Sequence, residues 1–131
     1  MKCFYCNCRS FVLYIDENHK RICEDCYMGK LNEYQWRFCY LTSFLIQYAF
    51  LKGYKLRYDD AYATSGHKVN SYHYKHLAVD FSLYDSEGNY CAKTEDHKFL
   101  GEFWESLDKN CTWGGRFSHK DGNHYSFTEG K

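Results

Sequence analysis

The sequence contains no proline, no excess of charge of either sign and no long apolar run. Lys and Arg together number 17, as do Asp and Glu, so the net charge does not favour binding to nucleic acid or anionic lipid, although a local basic face could still exist. The longest apolar stretch, residues 38–51, covers about 14 residues with polar interruptions, which is too short to span a bilayer. The absence of proline, internal repeats and low-complexity tracts excludes repeat architectures and proline-rich linkers. We therefore expect no nucleic-acid partner and no membrane span.

Aromatic residues are abundant instead. Tyr, Phe and Trp make up 21% of the 131 residues, and hydrophobic residues make up 44%. This much apolar surface excludes a long disordered chain and predicts a compact globular domain, which we expect to be monomeric. The first residues, MKCFYCNCRSF, have neither a sustained apolar core nor a small-residue cleavage site, so no secretory signal is expected. Without export, a reducing compartment disfavours disulfides among the eight cysteines and favours metal binding.

Four of the cysteines lie in two closely spaced pairs. Two residues separate Cys3 from Cys6, and sixteen residues later the same spacing separates Cys23 from Cys26. This arrangement is typical of a zinc ion held by four thiolates. Cys8 leaves an alternative open, because Cys3 and Cys8 could form the first pair instead, and a scatter of buried thiols is the alternative without metal. The spacing predicts a structural zinc site.

The other cysteines and the residues between the pairs carry structural expectations. Cys39, Cys91 and Cys111 have no partner at ligand spacing, so we expect them to be small core residues. Apolar residues alternate with others from 11 to 16, and residues 17–18 can form a turn. This pattern predicts a short hairpin between the two cysteine pairs.

Helical and strand periodicities follow the cysteine pairs. Apolar residues at steps of three and four predict an amphipathic helix ending near Lys52–Gly53, where glycine can adopt a left-handed conformation. A second helix is expected to begin near Thr94. Strict alternation predicts strands over residues 54–58, 77–83 and 124–127, and a further strand from Tyr90. We expect an α+β protein with a small antiparallel sheet and packed helices, in which a four-cysteine segment, residues 1–28, precedes the main domain, residues 29–131.

Two histidines and an aspartate have the composition of a catalytic metal site. His73 lies in a polar loop and Asp80 on the clearest strand of the chain, so a chain reversal between them would bring both side chains to one ion. His124, preceded by Asp121 and a glycine turn, can supply a third ligand from the tail. Two histidines and a carboxylate leave the fourth position of a tetrahedral zinc ion open for water, as catalysis requires.

Three other histidines are not expected to bind metal. His119 lies five residues before His124 and is an alternative ligand, but we expect it on the surface of a loop. His76 and His97 are expected to be solvated or to lie on the surface of a helix.

Three separated motifs resemble those of one enzyme family. They are Ser71-x-His73-x6-Asp80, Trp113-Gly114-Gly115-Arg116-Phe117 and Asp121-x2-His124. With these motifs in this order across residues 30–128, the chain resembles the D-alanyl-D-alanine carboxypeptidase and L-alanyl-D-glutamate endopeptidase family of zinc peptidases, in the form found in phage endolysins. The resemblance implies a zinc D,D-peptidase-like fold for the main domain.

The resemblance also implies roles for individual residues. His73, Asp80 and His124 would bind the catalytic zinc. Asp121 would be the catalytic carboxylate. The residues implied in substrate binding are Lys68, Ser71 and Trp113, the last of which is equally well explained as a core anchor.

The sequence departs from the family's pattern at two points. Members usually have glycine ahead of the Ala-x-Asp segment, where this chain has Lys75-His76-Leu77. Many carry an upstream arginine that binds a substrate carboxylate; this chain offers Lys68 instead, with Arg57 further away. A cation such as Lys68 or His67 would hold the substrate or stabilise an oxyanion.

Substrate, cofactors and location follow from the resemblance as expectations. The substrate would be the peptide stem of bacterial peptidoglycan, cut between L-alanine and D-glutamate or at a D-alanine bond. One catalytic and one structural zinc ion are expected. The protein would wait in the cytoplasm of an infected bacterial host until it reaches the cell wall, or would be part of the virion. The alternatives are a zinc-binding interaction module and a non-catalytic relative of the peptidases.

Overall fold

The computed structural model describes residues 2–9, 14–16, 18–68 and 70–129, and for Asp25 the backbone alone. The elements are β1 (Tyr14–Ile15), β2 (Arg21–Ile22), α1 (Glu24–Leu51), β3 (Lys55–Asp60), β4 (Ala78–Tyr84), α2 (Lys98–Leu107), β5 (Cys111–Trp113) and β6 (His124–Phe127). Short 3-10 helices cover Tyr72–Lys75, Thr94–His97 and Gly114–Arg116. The expected α+β class with antiparallel sheets is confirmed. In the described part of the chain, neither α-helix combines the length and apolar character that crossing a bilayer requires.

The main sheet has four strands in the order β3-β4-β6-β5, and all of its pairs are antiparallel. Odd-numbered residues of β4 and β6 face the two helices, and even-numbered residues face the opposite side because side chains alternate along a strand. The core between sheet and helices includes Leu45, Phe81, Leu83, Leu100, Trp104, Tyr125 and Phe127. The helices therefore support one face of the sheet and leave the even-numbered side chains for the other.

Helix α1 is longer than the apolar pattern predicts. It begins at Glu24, directly after Cys23, and continues for 28 residues to Leu51. Its end is as expected, because Gly53 has a φ of +87°, a conformation that costs glycine little. The helix runs without a break across the expected boundary between residues 28 and 29, so the four-cysteine segment and the main domain share one helix. The division into two domains stays a prediction.

The strand predictions are confirmed for β3, β4 and β6, with ends shifted by one or two residues. The strand expected from Tyr90 does not form; a single bridge to Tyr84 stands in its place. The Asp85 carboxylate accepts hydrogen bonds from the backbone N–H groups of Glu87 and Asn89, which closes a tight turn before that bridge. The three-residue strand β5 was not predicted, because so short a segment shows no period.

Trp113 is a core anchor. Its indole is 3% exposed, and Nε1 donates a hydrogen bond to the carbonyl of Gly122 at 2.8 Å. Two glycines make room for the ring: a Cβ on Gly101 would lie 2.1 Å from it, and a Cβ on Gly115 would lie 2.2 Å from it. Trp113 therefore joins α2 to the turn that precedes β6.

The N-terminal segment forms a two-stranded hairpin against the start of α1. Tyr14 pairs with Ile22 and Ile15 with Arg21, which confirms the hairpin for the described residues; residues 10–13 and 17, on which the prediction also rests, lie outside them. Tyr14 stacks on Tyr27 of α1 with ring centroids 4.2 Å apart. This contact fixes the hairpin to the helix.

Two expectations about burial are wrong. Cys39 is exposed on α1, because its position lies outside the apolar stripe of the helix, whereas Cys111 is 1% exposed as expected. His97 was expected at the surface but is 2% exposed, and its Nδ1 lies 2.8 Å from the hydroxyl of Tyr125. A histidine can enter the core when a polar partner meets its ring there.

Candidate functional site

Three predicted metal ligands meet on the sheet face that the helices leave free. Asp80 on β4 and His124 on β6 are directly paired in the sheet, so their side chains lie side by side. Nδ1 of His124 is 3.2 Å from Oδ1 of Asp80, and Nε2 of His73 is 3.2 Å from the same oxygen. The structure thus brings together residues that are up to 51 positions apart in the sequence.

His73 reaches this position through a short 3-10 helix. The Ser71 hydroxyl accepts a hydrogen bond from the His73 N–H at 3.3 Å and begins the helix. His76 ends it with a φ of +56°, after which the chain enters β4. This is the reversal between His73 and Asp80 that the sequence requires for a shared ion.

The geometry of the trio fits a zinc ion. With bonds of about 2.0–2.1 Å, neighbouring ligand atoms of a tetrahedral zinc lie about 3.3 Å apart, close to the two distances measured from Asp80. All three ligand atoms lie within 4.8 Å of one another. The rings of His73 and His124 are inclined by 71°, so their in-plane lone pairs can converge on one point. The fourth position remains available for a water or a substrate oxygen.

The electrostatics of the trio favour an ionised carboxylate. Burial disfavours the charge on Asp80, but hydrogen bonds with His124 and His73 outweigh burial and lower its pKa to about 2. For His73, burial alone would lower the pKa, whereas the hydrogen bond and charge of Asp80 raise it above the ordinary value. Asp80 is therefore ionised near neutral pH, the state in which a carboxylate can bind a cation.

Asp121 lies beside the trio and not within it. Its Oδ2 is 4.0 Å from Nδ1 of His124, and its side chain is half exposed. Burial and the nearby charge of Asp80 raise its pKa above the ordinary value. The turn that carries it is tightly fixed, since a Cβ on Gly114 would lie 2.2 Å from the Asp121 carbonyl oxygen. A carboxyl group in this position could exchange protons with a molecule held at the trio.

The trio and Asp121 open into a cleft of about 570 Å³. Its walls include Lys68, Ser71, Phe117 and His119. Lys68 and Ser71 therefore lie where the expected substrate contacts should be. Trp113, the third expected contact, is buried in the core and does not line the cleft, because its ring fills the space left by two glycines. His119 is exposed, as expected of a loop residue.

The ring of a third histidine, His67, lies against the trio. His67 stacks on His73 with ring centroids 4.3 Å apart and an angle of 19° between the planes. Its Nε2 is 2.7 Å from Oδ2 of Asp60, the last residue of β3. The sequence suggested His67 as a possible cation but gave no sign of Asp60, because nothing in the local spacing links the end of a strand to a loop residue seven positions later.

The four predicted cysteines also converge. The sulfurs of Cys3, Cys6, Cys23 and Cys26 lie within 4.8 Å of one another. Sγ of Cys6 is 3.6 Å from Sγ of Cys23, near the separation of about 3.8 Å expected for thiolates around tetrahedral zinc with bonds of about 2.3 Å. Cys8 stays close as a fifth thiol, with Sγ 3.2 Å from Sγ of Cys6.

Backbone dipoles favour the thiolate form at two of these cysteines. Burial would raise the pKa of Cys3, but N–H groups from Cys6, Cys23 and Tyr5 lower it to about 6. The N–H of Cys26 lowers the pKa of Cys23 below its ordinary value. Burial and hydrogen bonds with the other thiols raise the pKa of Cys26 to about 12, so the four thiols do not all ionise on their own. Metal ions bind thiolates rather than thiols, and a bound zinc ion would supply the positive charge that holds all four as thiolates.

In comparison with known proteins, one family model matches part of the chain. Residues 64–127 match the family model described as D-alanyl-D-alanine carboxypeptidase, which is just under half of the chain. No curated protein matches the chain. The matched segment contains the candidate metal-binding trio, Asp121 and the cleft residues from Gly66 to His119. The part of the chain that carries the candidate site is therefore similar to the D-alanyl-D-alanine carboxypeptidase family.

Proposed function

We propose that this protein is a zinc-dependent peptidase that hydrolyses an amide bond in the peptide stem of bacterial peptidoglycan. The observation that carries the proposal is the convergence of His73, Asp80 and His124, with Asp121 beside them, inside the segment that matches the family. The bond is either the one between L-alanine and D-glutamate or a D-alanine bond. The role is that of a phage endolysin, which acts from the cytoplasm of an infected bacterium once it gains access to the wall.

The metal-binding residues have distinct tasks. His73, Asp80 and His124 would hold the ion and leave one position open. When bound, zinc polarises a carbonyl and makes a water molecule more acidic. Asp80 supplies the negative charge of the site, which its lowered pKa preserves. The two imidazoles are oriented by the pairing of β4 with β6 and by the 3-10 helix that Ser71 begins.

Asp121 would transfer the proton. Its carboxylate lies 4.0 Å from His124 at the edge of the cleft, where it can accept a proton from the attacking water and deliver it to the leaving amine. A raised pKa suits this role, because a group that both accepts and donates works best when its pKa is near the operating pH. Lys68 and Ser71 line the same cleft and would contact the peptide.

A second zinc ion, bound by the four cysteines, would be structural. Four thiolates leave no position for water or substrate, so such an ion stabilises the fold and takes no part in the reaction. The cysteine cluster is buried at Cys3 and Cys23, which is consistent with that role. The proposed cofactors are therefore one catalytic and one structural zinc ion.

The Asp121→Ala variant tests the proposed function. We expect it to keep its zinc content but to lose at least about 100-fold of the rate of amine release from purified peptidoglycan, because general acid–base groups contribute about 10²–10⁴-fold. Mass spectrometry of the muropeptides released by the wild-type protein identifies the bond that is cut. Lys120→Gln, an exposed neighbour of Asp121, is the matched control and should keep the wild-type rate.

Two results would contradict the proposal. Amine release by Asp121→Ala at the wild-type rate would remove Asp121 from the mechanism. A zinc-loaded wild-type protein that releases no amine from peptidoglycan or from its isolated stem peptides would instead support a non-catalytic relative or an interaction module.

A further inference from the structure

His67 is held more firmly than a loop residue usually is. The hydroxyl of Tyr74 accepts a hydrogen bond from the His67 N–H at 2.8 Å and donates one to the His67 carbonyl at 2.9 Å. The ring is fixed separately, by Asp60 at one nitrogen and by stacking on His73. A side chain placed by contacts from β3 and from the metal-binding 3-10 helix is preorganised for a function at this wall of the cleft.

The trio formed by Asp60, His67 and His73 is not arranged for a second metal ion. Its ligand atoms lie within 4.8 Å of one another, but the rings of His67 and His73 are stacked, with only 19° between their planes. A lone pair on an imidazole nitrogen lies in the plane of the ring, so two stacked rings cannot both direct a lone pair at one ion. The rings of the catalytic trio, at 71°, can do so.

The hydrogen bond to Asp60 determines which nitrogen of His67 remains available. A carboxylate can only accept, so Nε2 is the nitrogen that donates to Asp60. In the neutral ring Nδ1 then carries a lone pair. His67 lines the cleft and Asp60 does not, so the edge of the ring held by Asp60 faces away from the cleft. Among the described residues, the hydrogen bond of the His67 ring is made through Nε2, to Asp60.

We propose that Nδ1 of His67 binds the peptide substrate, by accepting a hydrogen bond from a main-chain N–H group next to the metal. The inference rests on the proposed function and adds a specificity contact to it. His67 lies against the metal ligand His73 on one side and opens to the cleft that contains Asp121 on the other. A contact here sets the register of the peptide relative to the metal, and the bond between Nε2 and Asp60 leaves Nδ1 as the nitrogen that can accept.

Two substitutions of His67 separate the roles of its two nitrogens. Asparagine places an amide group where Nδ1 lies and cannot reach Asp60, whereas glutamine places one where Nε2 lies and keeps the contact with Asp60. The probe is a synthetic pentapeptide stem that contains both candidate bonds. Binding is measured by calorimetry in zinc-loaded protein that carries Asp121→Ala, and KM and kcat are measured in the otherwise unchanged protein.

We expect His67→Gln to weaken pentapeptide binding and to raise KM by about tenfold, the effect of one lost hydrogen bond, with kcat changed by less than about twofold. His67→Asn should stay within about threefold of the wild-type affinity. Zinc content and thermal stability, measured on the same samples, should be unchanged in His67→Gln because the bond to Asp60 is kept.

Several outcomes would overturn the contact. Equal pentapeptide affinity in His67→Gln and wild type would show that Nδ1 does not bind the substrate. If His67→Asn loses as much pentapeptide affinity as His67→Gln, the ring has a structural role and does not bind the substrate. If either variant loses zinc, His67 supports metal binding instead. If the zinc-loaded wild-type protein neither binds nor cleaves the peptide, both the proposed function and this contact are wrong. If the wild type cleaves the peptide and His67→Gln cleaves it equally well, only the contact is wrong.

Discussion

Three histidines of this chain show how neighbouring groups give one residue type different tasks. His124 lies beside a carboxylate at the open face of the sheet and is a proposed metal ligand. His67 is bonded to a carboxylate through one nitrogen and presents the other to a cleft. His97 lies in the core, on the opposite side of the sheet from His124. Its hydrogen-bond partner is the neutral hydroxyl of Tyr125 and not a carboxylate. Burial lowers the pKa of His97 to about 4.

The depressed pKa of His97 predicts a loss of stability in mild acid. An unfolded histidine binds a proton near pH 6.5, while folded His97 does so only near pH 4. Between these values the unfolded state holds more protons, so the free energy of unfolding falls as the pH falls. From pH 7.5 to pH 4.5 the loss from this residue is about 2–3 kcal/mol.

Urea unfolding of wild type and His97→Gln at both pH values measures this effect. The variant lacks the titrating group, so we expect its stability to fall by about 2–3 kcal/mol less than that of the wild type over the same pH range. The comparison cancels any contribution from metal loss in acid, because both proteins contain the same metal ligands. Parallel pH profiles for the two proteins would mean that His97 titrates normally.

At the scale of elements, helix α1 connects the two parts of the molecule. Its N-terminal residue is preceded by Cys23, and Cys26 lies in its first turn. Its later turns contribute Leu41, Leu45 and Ala49 to the core of the main domain. The side chain of its N-cap residue, Cys23, forms no capping hydrogen bond. A zinc ion bound to Cys23 and Cys26 would stabilise the N-terminus of α1 in place of a capping side chain.

Cys26→Ser is therefore predicted to release the hairpin and the first turn of α1. A structural zinc site contributes on the order of 10 kcal/mol to the folding of a small segment, so hydrogen exchange of the amides in residues 14–28 should accelerate by at least about 100-fold. Cys26 is a sharper target than Cys6, because Cys8 lies close enough to Cys6 to replace it.

Cys39→Ser is the matched control for this measurement. Cys39 lies on the same helix, is exposed and is outside the cluster, so its removal should leave exchange unchanged. The main sheet should also keep its protection in Cys26→Ser, since the core residues of α1 are untouched. Unaltered exchange at residues 14–28 in Cys26→Ser would count against a zinc ion at the cysteines.

At the scale of the whole molecule, two clusters of described side chains are arranged so that each could hold a metal ion, and their chemistry differs. One has four sulfur ligands and no open position. The other has two nitrogens and one oxygen, and it opens to a cleft. Because the two clusters share no residue, each should load and lose its ion independently.

The number of bound zinc ions tests this expectation. Native mass spectrometry of the purified protein should find two zinc ions per chain. His73→Ala combined with His124→Ala should leave one ion and abolish activity, whereas Cys3→Ser combined with Cys6→Ser should leave one ion and retain the catalytic site. A single zinc ion that disappears when the cysteines are replaced would favour an interaction module over a peptidase.

Local sequence patterns predict many of the secondary-structure elements and candidate ligands of this protein. Side-chain periodicity predicts the strands β4 and β6 and the end of α1 near Gly53. Residue spacing and type predict the two cysteine pairs and the candidate ligands His73, Asp80 and His124. These features depend on residues close together in the chain, where side-chain period and ligand separation are set by backbone geometry. The resemblance to the peptidase family added Asp121 as the expected catalytic carboxylate.

Tertiary packing decided the features that no local pattern contains. The burial of Trp113 depends on Gly101 in another element, and the core position of His97 depends on Tyr125, 28 residues away. The contact between Asp60 and His67 arises where the end of β3 approaches the loop beside the metal. Each of these contacts joins surfaces that meet only after the sheet and helices have packed, so the sequence supplied the groups and the folded chain determined which of them touch.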